Sequence, residues 1–108
     1  MPKKWETFVD DLKDTSGVLA KAELKRLVFE AKADQNEFIK KQGVKLERYL
    51  NQLASGKITR KQFQGYMEDI RDLAKMQALK MRVAAKASAQ RLAAGIEKLI
   101  ITGLMRLL

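Results

Sequence analysis

Cysteine and histidine are both absent from the 108 residues. That removes disulfides, thiolate and imidazole metal ligation, Cys–His nucleophiles and the Ser–His–Asp arrangement in one step. Proline occurs once, at Pro2, and glycine six times, so little in the chain interrupts a helix. Long apolar runs are missing too. The longest uncharged stretch of the apolar C-terminal end is Leu99 to Met105, whereas a spanning helix needs roughly 20 apolar residues. The first fifteen residues hold no apolar run of seven and no small-residue cleavage site, which argues against a secretory signal. A cytoplasmic or membrane-peripheral location is therefore favoured, although a chain without cysteine says nothing about its redox compartment.

What is present is a globular balance, 46% hydrophobic and 32% charged, in a length that suits one domain over residues 1–108. The net charge is +9 and the pI about 9.9, which points to anionic partners without naming one. The charge is uneven. Residues 1–17 hold three basic and four acidic groups, residues 18–55 eight and five, and residues 56–108 eleven and four. Between Gln77 and Ile96, Lys80, Arg82, Lys86 and Arg91 stand without a single acid.

Apolar spacing predicts three helical pieces. In the first, about residues 2–14, Trp5, Phe8, Val9 and Leu12 share one face, and Thr15-Ser16-Gly17 offers a soft break. The second, about 18–54, carries Leu27-Val28, Phe38-Ile39 and Tyr49-Leu50 at eleven-residue intervals, filled in by Leu24, Ala31, Gln35, Gln42, Leu46 and Leu53. An eleven-residue recurrence describes a nearly straight stripe along one long helix. Ser55-Gly56 then reads as a helix end with left-handed glycine. Thr59 and Gln62 form a capping box flanked by Ile58 and Phe63 in staple positions. The third piece, about 59–108, runs on a heptad seam of Phe63, Met67, Ile70, Ala74, Gln77, Met81, Ala84 and Ser88. It then passes through an alanine-rich stretch, Val83 to Gly95, that suits close helix packing.

At 1.5 Å per residue the second and third pieces would span roughly 55 Å and 73 Å. Folded at Gly56 into an antiparallel hairpin, the shorter helix ends opposite about residue 95. Ile96 to Leu108, apolar on nearly every side, then overhangs. Either the first helix lies over that end, with Trp5 as a core residue, or another copy, a partner helix or lipid covers it.

Sites for chemistry are few. Around Gly56, Asn51, Leu53 and Ser55 fall where a calcium loop needs oxygen donors, and Gln62 replaces the closing glutamate, so the loop reads as a hairpin turn. Glu68, Asp69 and Asp72, and Glu30, Asp34 and Glu37, cluster on helices. A bundle metal site normally adds Glu-x-x-His, however, and these acids suit ion pairing to basic neighbours, Asp34 near Lys80 and Glu23 near Arg91. No acid–base pair and no glycine-rich phosphate cradle is evident.

The expectation is an all-α fold: a short N-terminal helix followed by a long antiparallel hairpin, self-associating as a bundle or coiled coil. Functionally it is a non-enzymatic, self-assembling protein without cofactor, metal or small-molecule substrate, whose basic, apolar C-terminal half engages membranes. Ile96, Leu99, Ile100, Leu104, Leu107 and Leu108 would contact membrane or partner, and Lys80, Arg82, Lys86, Arg91 and Lys98 an anionic surface. The alternatives are a coiled-coil scaffold or adaptor for a protein partner, and a non-specific nucleic-acid binder whose affinity falls steeply with salt. No helix-turn-helix or zinc finger accompanies the charge in support of the last.

Overall fold

Side-chain caps fix two of the helix starts in the computed structural model, which describes residues 4–13 and 20–108. Among these, five α-helices and no strand occur: α1 (Trp5–Asp11), α2 (Lys21–Lys32), α3 (Glu37–Ala54), α4 (Arg60–Ala78) and α5 (Val83–Gly95). A π-helical segment, Ile96–Gly103, and a 3₁₀ turn, Leu104–Leu107, complete the chain. The Thr15-Ser16-Gly17 break lies outside the described residues.

The α3–α4 turn follows its sequence signals. Gly56 has φ +77°, and the Lys57 N–H donates to the Gln52 carbonyl at 2.8 Å, closing the helix end in a Schellman arrangement. Thr59 Oγ1 accepts from the Gln62 N–H at 3.0 Å while Gln62 Oε1 accepts from the Thr59 N–H at 2.9 Å. Four helix-end groups thus find partners within one loop.

Two further breaks interrupt the long helices expected from the sequence. After Lys32, Asp34 Oδ1 accepts from the Asn36 N–H at 2.8 Å, and Asn36 Oδ1 accepts from the Ile39 N–H at 3.2 Å. Asp34 is therefore a turn residue that feeds the N-cap of α3, not a cross-helix partner of Lys80, and Gln35 leaves the buried stripe for solvent. The second break, at residues 79–82, has no side-chain cap: the start of α5 at Arg82 carries none. Burial further along the chain accounts for it. By breaking here, α5 and the π-helical segment return along α4 and place Ala89, Leu92, Ala93, Ile96, Ile100 and Leu104 in the core.

These breaks correct the extended hairpin. A continuous residue 59–108 helix would reach roughly 73 Å, whereas the longest dimension is 39 Å and the radius of gyration 13.4 Å. The heptad seam holds as far as Phe63, Met67, Ile70 and Ala74, all buried; beyond it Met81 is half-buried and Ala84 exposed. The eleven-residue pairs survive because Val28, Ile39 and Leu50 all face the same core across the α2–α3 turn.

Helix α1 is tied down by polar contacts as well as by Trp5 and Val9. The Trp5 N–H donates to Asn51 Oδ1 at 3.1 Å and its indole N–H to Glu47 Oε2 at 3.4 Å. Glu47 also pairs with Lys32 at 2.7 Å, so one carboxylate on α3 links α1 and α2. Lys21 Nζ donates to the Asp10 and Leu12 carbonyls, filling orphan acceptors at the end of α1, and Lys25 pairs with Asp10.

Candidate functional site

The apolar C-terminal end is not free. Ile96, Leu99, Ile100 and Leu104 are buried, and Leu107 and Leu108 half-buried. The overhang expected for these six residues does not form, because the two helix breaks fold the chain back and set the π-helical segment against α4, α5 and α2. Helix α1 packs on α3 and α2. Glu97 fastens the end to α4 through Arg71, which also pairs with Asp72 at 3.0 Å. The hydrogen bonds to Asp72 and then Glu97 raise the Arg71 guanidinium above its ordinary pKa.

The basic residues named from sequence divide into separate places. Lys80 and Arg82 are exposed on the α4–α5 turn, with Lys86 half-buried one turn into α5. Arg91 lies apart, beside Glu30 and Asp34 in a shallow depression, with its guanidinium donating to Ser88 Oγ at 3.2 Å. Glu23 is not its neighbour there. Lys98 is exposed on the π-helical segment.

Around the α4–α5 turn the structure adds what sequence reading missed. Met76, Leu79 and Val83 are 62%, 79% and 86% exposed. Soluble surfaces carry single exposed apolar residues routinely, as at Phe29, but three large ones on consecutive turns need a reason. Lys75, Lys80 and Arg82 are exposed among them, and none forms an ion pair among the described residues. The signal was present: Leu79 and Val83 fall outside the heptad seam, so their burial was never called for by the pattern.

A second feature lies between α3 and α4. Tyr49 and Tyr66 stack with ring centroids 4.4 Å apart and planes 16° from parallel, and the Arg48 guanidinium sits 5.4 Å from the Tyr49 centroid. Next to this pair is a half-open groove of about 190 Å³ lined by Gln42, Lys45, Asp69, Ile70 and Leu73 with the two tyrosines. Gln42 is 3% exposed and its Oε1 has no hydrogen-bond partner among the described residues. An unpaired buried amide costs on the order of 1–3 kcal/mol, and most native structures avoid it. Lys40, Lys41, Val44, Lys45 and Arg48 line an adjoining open depression on α3.

Among the described residues no group of three or more metal-ligating side chains converges, and no helix is long and apolar enough to cross a membrane. No family model, curated protein or solved structure matches the chain.

Proposed function

We propose that this chain is a non-enzymatic helical protein that binds anionic membrane surfaces peripherally through the α4–α5 elbow. The observation that carries the reading is the conjunction of three exposed apolar side chains, Met76, Leu79 and Val83, with the exposed cations Lys75, Lys80 and Arg82, which have no ion pair among the described residues, in the segment 75–83 that spans the α4–α5 turn. Stable attachment to a bilayer needs two signals, apolar insertion and charge. Each cation near an anionic leaflet contributes about 1 kcal/mol, and each apolar side chain taken fully out of water roughly 1.5–3 kcal/mol. The C-terminal half remains the binding half, with the elbow in place of the buried Ile96–Leu108 end.

Self-association through the same elbow is the second reading. A symmetric contact between two copies would set Lys75, Lys80 and Arg82 against their own equivalents, and like charges in a desolvated contact oppose it. An anionic occupant satisfies both the apolar and the charged groups.

Flotation with phosphatidylcholine vesicles, with and without phosphatidylserine, tests the proposal. The full chain floats with the anionic vesicles, less so as salt rises, and Leu79→Asp with Val83→Asp abolishes it while the circular dichroism stays unchanged. Flotation unaffected by the double variant, or absent with both lipids, overturns it.

A further inference from the structure

We propose that the exposed face of α3 binds the phosphate backbone of double-stranded nucleic acid without reading its bases. Lys40, Lys41, Lys45 and Arg48 surround one open depression that they share with Val44, and none of the four has an ion pair among the described residues. Their spacing of three, four and eight residues keeps them on a single strip of the helix about 12 Å long. Little countercharge lies nearby. From Phe38 to Met67 the chain holds seven cations and one carboxylate, Glu47, and that carboxylate is taken by Lys32 and the Trp5 indole. Glu37, a turn before Lys41, and Asp69, which shares the neighbouring groove with Lys45, pair with neither lysine. Arg48 is held in place, its guanidinium 5.4 Å from the centroid of the Tyr49 ring, which stacks in turn on Tyr66. Such pre-ordering lowers the cost of fixing the side chain on a ligand.

Charge density selects the occupant. Each strand of a duplex carries one phosphate per about 3.4 Å of axis, so about 12 Å presents three or four charges to the four cations. An acidic helix lying along the strip offers one carboxylate per turn of about 5.4 Å, half as many. A bilayer needs apolar insertion beside charge, and Val44, at 52%, is the one large apolar side chain exposed on α3. Phosphate contacts fix a duplex in place and carry no sequence information. The strip also leads away from the elbow. Tyr49 stacks on Tyr66, and Lys45 shares its groove with Ile70, so α3 runs antiparallel to α4. Arg48 is then level with about Met67, roughly 18 Å back along α4 from Leu79. The site is separate from the membrane contact and does not depend on it.

The test is fluorescence anisotropy of two labelled DNA duplexes of unrelated sequence, titrated with the full chain between about 50 and 200 mM salt. Both duplexes should bind equally. Four phosphate contacts give a slope of log affinity against log salt of about −3.6, a loss of about a hundredfold over that range. Lys41→Gln with Arg48→Gln, both exposed, should bring the slope to about −1.8 and the loss to about tenfold, with unchanged circular dichroism. Lys80→Gln with Arg82→Gln at the elbow removes the same charge and should leave the slope as it was. The α3 variant should still float with anionic vesicles, so failure at this site is distinct from failure of the membrane reading. No binding at the lowest salt overturns the proposal, as does an equal loss in both double variants, which would assign the binding to net charge alone. Polyglutamate binding as tightly as the duplexes would give the strip to an acidic protein, and loss of flotation in the α3 variant with DNA binding intact would give it to lipid; either result overturns it too.

Discussion

Gly43 brings α3 onto the backbone of α2: a β-carbon placed there would lie 2.6 Å from the Lys32 amide nitrogen and 2.7 Å from the Ala31 carbonyl carbon. Real β-carbons do not approach backbone atoms that closely, and backbone cannot swing aside as a side-chain tip can. In sequence, Gly43 reads as a helix-weakening residue costing about 1 kcal/mol. In the structure it is the contact that lets two helices meet. Gly43→Ala should therefore destabilise by about 1–3 kcal/mol, measured by urea unfolding, despite alanine's better helix propensity. Gly65 is the control, since nothing lies within 4 Å of a β-carbon there. Gly65→Ala should stabilise by up to about 1 kcal/mol. Equal effects at the two sites would show that the α2–α3 approach is not tight.

Removing the polar edge of Gln42 should strengthen the fold. Its Oε1 is buried without a partner among the described residues, so Gln42→Met should raise stability by about 1–2 kcal/mol. A loss of stability on thermal or urea unfolding would mean that the amide is satisfied in solution, as by an ordered water.

Truncation after Gly95 should unfold the protein. Ile96, Ile100 and Leu104 are fully buried, and losing even one such side chain to alanine costs about 2–5 kcal/mol, against a total stability of about 5–15 kcal/mol for a domain. Circular dichroism of the truncated chain should show most of the helix signal lost. A cooperative, native-like transition in it would contradict the burial of this end.

The elbow should be separable from the fold. Leu79 and Val83 are exposed, so replacing either with aspartate should change stability by no more than about 0.5 kcal/mol. The same substitutions should eliminate vesicle flotation. A large stability loss would place these side chains in a contact that the isolated chain does not make.

Trp5 reports on α1. As the one tryptophan, buried with its indole N–H directed at Glu47, it should emit at short wavelength in the folded state. Glu47→Ala removes that acceptor and the Lys32 pair, both partly solvent-exposed, at a cost of up to about 1 kcal/mol. Emission should redden at denaturant concentrations below the main helical transition. Coincident transitions would show that α1 is held without the Glu47 link.

Much of this molecule is written in short-range chemistry. The all-helical class follows from one proline, few glycines and apolar spacing. The turn at Gly56, the capping box of Thr59 and Gln62, and the buried face of Phe63, Met67 and Ile70 are decided by residues a few positions apart, which is why the sequence alone determines them. The α2–α3 break was also legible in principle, since Asp34 and Asn36 are turn and cap formers, but the eleven-residue stripe continues across it and masks it. The break at residues 79–82 has no such signature. It exists because a straight helix would leave Ile96, Ile100 and Leu104 in water, and only the return of α5 along α4 covers them. The same long-range folding isolates the Gln42 amide, sets Tyr49 on Tyr66, and leaves Leu79 and Val83 outside. Spacing tells which residues share a helix face; which face finds a partner is settled by elements distant in the chain, through the apolar area that their packing removes from water.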